Sequence, residues 1–66
     1  MEPIILDADN TRTLYQITTV CDLTISILVD ADGEEYSTTD WQGIQPISLA
    51  EVEDYDWINL SDWQYR

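Results

Sequence analysis

The sequence predicts a small α+β domain, an antiparallel sheet of three to five strands with one short helix packed on it. Three observations point there. Leu23, Ile25, Ile27 and Val29 alternate with Thr24, Ser26 and Leu28, the period-two pattern of a half-buried strand. Asp32-Gly33 follows that run, and both positions of a tight hairpin turn favour residues that tolerate positive φ. Ser48 and Glu51 stand three apart ahead of Val52, which is the spacing of a helix capping box.

Residues 3–6 form a short apolar start, and Asp7-Ala8-Asp9-Asn10 is a turn cluster. Residues 11–20 are rich in β-branched and aromatic side chains, as strands are, and Asp22 interrupts them. Cys21 sits in this apolar run and is expected to be a buried, inert thiol. Leu28 departs from the alternation of the next strand and is expected to face a second apolar layer.

Two registers are open for the hairpin. A two-residue turn pairs Val29 with Tyr36 and Ile25 with Asp40. A one-residue bulge pairs Val29 with Ser37 and Ile25 with Trp41. The second sets Trp41 on the apolar face and is favoured. The returning strand runs from residue 35 to about residue 41, and Gly43 and Pro46 mark a loop.

The helix begins after Ser48, with Ile47 and Val52 spaced for a hydrophobic staple, and ends near Tyr55. Glu51 and Glu53 suit its positive start, whereas Asp54 and Asp56 oppose the dipole near its end. Those last two acids hint at a requirement other than helix stability. Residues 57–60, and onward to residue 65, read as a last strand.

Charge dominates the composition. Fourteen Asp and Glu face two Arg, with no Lys and no His, for a formal charge of −12 on 66 residues. Self-repulsion of that size works against compaction, and solubility needs only about 2–8 charges in a small domain. Three Trp, four Tyr and 44% hydrophobic residues nevertheless separate the chain from a disordered acidic tail. One domain over residues 1–66 is expected, with a small core, since a domain of about 60 residues buries only about 60% of its unfolded surface. One cysteine excludes an intrachain disulfide, and one thiol without His cannot furnish an ordinary zinc site. No membrane-spanning stretch and no export signal stand in the sequence, so the expected location is cytoplasmic, the host cytoplasm if the chain is phage-encoded. Anionic membranes and nucleic acid itself are not expected partners.

Catalysis is not expected, because a nucleophilic triad needs a base and both His and Lys are missing. No cofactor is implied. Asp30-Ala31-Asp32-Gly33-Glu34 resembles the middle of an EF-hand loop, but aligning Gly33 with the loop glycine sets Leu28 at the first ligand position and Thr39 at the bidentate one. A hairpin turn, with no metal site, is the expectation.

The acids fall in two groups: Asp30, Asp32, Glu34, Glu35 and Asp40 on the hairpin, and Glu51, Glu53, Asp54 and Asp56 on the helix. Carboxylates held on rigid elements suit a basic channel built for phosphates. Trp57, Trp63 and Tyr65 are the candidate aromatic anchors, because Trp and Tyr dominate binding hot spots. In charge, size, aromatic content and want of catalytic residues the chain resembles the small acidic nucleic-acid mimics made by phages. That resemblance implies an inhibitor of a restriction enzyme, CRISPR effector, repair enzyme or polymerase, occupying the basic nucleic-acid site of its target. The alternative is an interaction module of another type, antitoxin-like or a regulatory subunit, binding through its Trp and Tyr surface. Self-association stays open in either case.

Overall fold

A computed structural model describes residues 3–39 and 43–63, the last two by their backbone alone. The described residues form one five-stranded sheet: β1 (Ile4–Ala8), β2 (Thr13–Thr18), β3 (Thr24–Val29), β4 (Glu35–Thr38) and β5 (Trp57–Asn59). Spatial order follows chain order and every neighbouring pair is antiparallel, so the sheet is a simple meander. A 3₁₀ helix, Leu49–Asp54, lies between β4 and β5, and a single α-helical turn, α1 (Leu60–Trp63), follows β5. The domain is therefore mainly β, with a smaller helical share than expected.

Two physical reasons keep the helix short and tight. Six residues scarcely repay α-helix nucleation, and the acids at its end oppose the dipole. The capping box also forms only in part. Ser48 is extended and makes no side-chain cap bond to the backbone. Glu51 instead receives the Ile47 N–H at 3.4 Å and the Ser48 hydroxyl at 3.5 Å. The expected staple is absent, since Val52 is buried while Ile47 is exposed. The helix start is capped from elsewhere: the Leu49 N–H donates to Asp7 Oδ2 at 2.8 Å.

The β3–β4 hairpin takes neither expected register. Val29 pairs with Glu35, Leu28 with Tyr36 and Ile27 with Ser37. Asp30 causes the change, because its Oδ1 accepts the Asp32 and Glu34 N–H groups at 2.9 and 3.0 Å and draws Asp30 into the turn. The loop is then Ala31-Asp32-Gly33, closed by Asp30 N–H to Glu34 O at 3.1 Å and Gly33 N–H to Asp30 O at 3.0 Å. Such three-residue loops end in a left-handed residue, here Gly33 at φ +83°, where an added Cβ would meet nothing within 4 Å, so the need for glycine is conformational. The expected partnerships of Ile25 with Asp40 or Trp41 fall on residues outside those described.

The β2–β3 hairpin repeats this pattern with Thr19 and Leu23 closing Val20-Cys21-Asp22, and Asp22 takes the left-handed position at φ 65°. Cys21 is consequently exposed at a loop tip rather than buried in a strand.

The core lies on one face of the sheet. Leu14, Leu28 and Val52 are its buried centre, with Leu6, Tyr36, Leu49 and Trp57 packed against them. Leu28 thus does face an apolar layer, the one formed by the 3₁₀ helix. The loop before that helix is pinned by buried polar groups: Gln45 Oε1 accepts the Ser26 N–H at 3.2 Å and the Thr38 hydroxyl at 3.0 Å, and the Ser26 hydroxyl donates to Pro46 O at 2.6 Å. Gln45 takes over where the β3–β4 ladder stops.

Candidate functional site

Antiparallel order brings the β1–β2 turn and the β3–β4 turn to the same end of the sheet. That end is acidic. Asp30, Asp32, Glu34 and Glu35 belong to the second turn and its margin, and Asp9 organises the first.

Several of these carboxylates are held in place. Asp9 Oδ1 accepts the Thr11 N–H at 2.7 Å, the Arg12 N–H at 2.8 Å and the Thr11 hydroxyl at 2.9 Å. These donors, the Thr11 N–H foremost, hold its carboxyl below the usual carboxylate range. Asp30 is fixed through Oδ1 as described, and its Oδ2 accepts the Tyr36 hydroxyl at 3.3 Å. Partial burial, followed by the Asp30 charge, pushes the Tyr36 phenol upward, so it stays a donor. Glu34 Oε1 accepts Asn59 Nδ2 at 2.7 Å, while Asn59 Oδ1 caps α1 by accepting the Ser61 N–H and hydroxyl at 2.9 and 2.7 Å. Asp32 and Glu35 are exposed beside this framework.

The helix acids divide. Glu53 reaches Arg12 at 3.6 Å, which ties the 3₁₀ helix to the β1–β2 turn and so to the acidic end. Both side chains are solvated, and such surface pairs contribute about 0–1 kcal/mol. Glu51 and Asp54 are three apart, and residues at that spacing eclipse in a 3₁₀ helix. Asp56 lies beyond the helix, next to Trp57, and Trp57 pairs with Thr38 at the end of β4 remote from the acidic turn. Asp22 sits on the β2–β3 loop at that opposite end as well.

Trp57 is half-buried against the core, and its indole N–H donates to Val52 O at 2.7 Å. Trp63 belongs to α1, with only its backbone described; Asp40 and Tyr65 lie outside the described residues. Among the described residues no group of acids or thiols is arranged to hold a metal ion, and no helix is long and apolar enough to cross a membrane.

A second feature lies beside the acidic end. The sheet face opposite the core is also apolar. Tyr15 and Ile17 of β2, Ile25, Ile27 and Val29 of β3 and Ile58 of β5 share it by register. A groove of about 470 Å³ opens there, lined by Pro3, Tyr15, Ile17, Ile27, Val29, Glu35 and Leu60. The signal was present in the sequence: Tyr15 and Ile17 have one parity and Leu14 the other, as Ile27 and Val29 do against Leu28. Two apolar faces on one strand need two apolar neighbours. Glu35 joins this face because the observed register sets it opposite Val29, at the acidic end of the groove.

Comparison with protein-family models, with curated proteins and with solved structures finds no match.

Proposed function

We propose that the protein is an acidic binding protein that mimics a phosphate backbone and occupies the basic nucleic-acid site of a target protein, in the manner of a phage inhibitor of a nuclease, CRISPR effector, repair enzyme or polymerase. The supporting observation is the pair of turns at one end of the sheet, whose carboxylates Asp9, Asp30 and Glu34 are hydrogen-bonded in place. Fixed carboxylates lose little freedom when Arg and Lys pair with them. The Arg12–Glu53 pair, itself without net charge, ties the 3₁₀ helix that carries Glu51 and Asp54 to the turns.

The dimensions agree with this function. The longest axis is 31 Å. Duplex DNA carries one charge per about 1.7 Å of axis, or about 18 over that length, and the chain carries net −12. The line density of charge is comparable.

Two sets of neutral substitutions test the proposal in a binding assay against the target. Asp32→Asn, Glu34→Gln and Glu35→Gln remove charge from the turn, and Glu51→Gln, Glu53→Gln, Asp54→Asn and Asp56→Asn remove it from the helix. A mimic loses most of its affinity with either set, and the turn set acts more strongly. Binding that survives both sets but is abolished by Trp63→Ala or Tyr65→Ala identifies an interaction module of another type.

A further inference from the structure

The apolar groove has no part in mimicry of a backbone, yet it opens at the same acidic end through Glu35. Its occupant must suit three constraints. The first is width. Between Pro3 and Leu60, which also line it, the groove's floor from β2 to β4 spans two inter-strand spacings, about 10 Å, which is about the diameter of one α-helix. The second is backbone chemistry. The face of a paired sheet offers no unpaired N–H or C=O, so an extended peptide laid on it would leave its own backbone unpaired, whereas a helix satisfies its backbone internally. The third is charge. A second copy of this chain would bring another −12 to the interface, and like charges brought together oppose association. Glu35, with Asp32 on the adjoining turn, favours a cationic occupant instead.

We infer that the groove binds one amphipathic helix of a basic partner, its apolar stripe against Tyr15, Ile17, Ile27 and Val29 and an Arg or Lys beside Glu35. Residues at i, i+3, i+4 and i+7 of that helix supply the stripe. This extends the proposed function, from which it takes the basic character of the partner. It assigns the specificity-bearing contact to the groove and leaves the long-range attraction to the turns.

The test uses the full chain with isotope-labelled Ile, Leu and Val methyls and three probes. One is a 14-residue Leu/Lys peptide with apolar residues at helical spacing, the second is the same composition scrambled, and the third is oligolysine. The amphipathic peptide is expected to shift the methyls of Ile17, Ile27, Val29 and Leu60. The scrambled peptide and oligolysine are expected to shift only the amides of the turn end, Asp9, Asp32 and Glu34. Glu35→Gln, an exposed change that spares the fold, should weaken the amphipathic peptide about twofold to fivefold, the effect of one surface ion pair. Equal affinity for the amphipathic and scrambled peptides, without groove methyl shifts, overturns the inference. So do groove methyl shifts that arise on concentrating the protein alone, which mark a second copy as the occupant. If the amphipathic peptide fills the groove while oligolysine leaves the turn amides unmoved, the docking inference stands and the mimicry proposal fails.

Discussion

The carboxylate of Asp7 accepts the Leu49 N–H at 2.8 Å and so joins the first strand to the start of the 3₁₀ helix across 42 positions of sequence. A bulge makes this possible. Pairing passes from Ile5 opposite Tyr15 to Asp7 opposite Leu14, and the extra residue is Leu6. Leu6 packs against the core while Asp7, its neighbour, reaches the helix that covers that core. Asp7→Ala should destabilise the chain by about 1 kcal/mol, as loss of an N-terminal cap does, and Asp7→Asn, which keeps an acceptor, by clearly less. Urea midpoints measure the difference, and faster exchange of the Leu49 amide in the Ala variant locates it.

Gln45 serves the neighbouring loop in a comparable way. Its Oε1 is shared by the Ser26 N–H and the Thr38 hydroxyl, both buried. Gln45→Ala leaves both donors without that acceptor, at about 1–3 kcal/mol for each buried group, and a total loss of about 2–6 kcal/mol is expected. Ile44→Ala, next door but 86% exposed, should change stability by about 0.5 kcal/mol at most. Equal effects of the two changes in chemical denaturation would remove the pinning role from Gln45.

Asp9 makes stability depend on acid. Its folded pKa lies below that of an ordinary aspartate, because Thr11 and Arg12 donate to the ionised form. A depressed folded pKa contributes stability that is full above the unfolded value and is lost as pH falls through the folded one. Asp9→Ala should therefore melt below the wild type near neutral pH, with a gap that narrows as pH is lowered from about 5 to about 2. A gap that is constant over that range contradicts the hydrogen-bonded carboxylate.

Self-repulsion predicts the response to salt. The screening length falls from about 30 Å at 0.01 M to about 10 Å at 0.1 M, against a molecule 31 Å long that carries −12. Tm should rise by about 5 °C or more between about 0.02 M and 0.5 M NaCl, equivalent to about 1 kcal/mol in a domain of this size. A flat Tm shows that the carboxylates are arranged without appreciable strain on the fold.

The strands were legible in the sequence because period-two patterning is local. Residues 23–29 announce β3, and the two apolar parities at Leu28 and Ile27 reflect two real surfaces; the last strand, read from residue 57 onward to residue 65, begins as expected but stops at Asn59, which caps α1. What escaped depends on side chains that act at a distance or compete locally. Asp30 displaces the Asp32-Gly33 turn by recruiting two N–H groups, and this shifts the register and sets Glu35 directly opposite Val29. Asp7 replaces Ser48 as the cap of a helix too far away in sequence to be foreseen. The acids were visible as a total, and their gathering at one end needed the strand order. Cys21 was misjudged because a hairpin loop whose left-handed residue is Asp22 carries no glycine to announce it.

Competition for a captured target decides whether the carboxylates stand in for phosphates. The chain is immobilised, exposed to a lysate of its native host at low salt, and the retained protein is challenged with duplex DNA and with a salt gradient. Mimicry predicts that the retained protein binds nucleic acid, that duplex DNA releases it, and that log affinity falls linearly and steeply with log salt, while the Asp32→Asn, Glu34→Gln, Glu35→Gln variant releases it at lower salt. Retention that withstands excess DNA and about 0.5 M salt, unchanged in that variant, would contradict it.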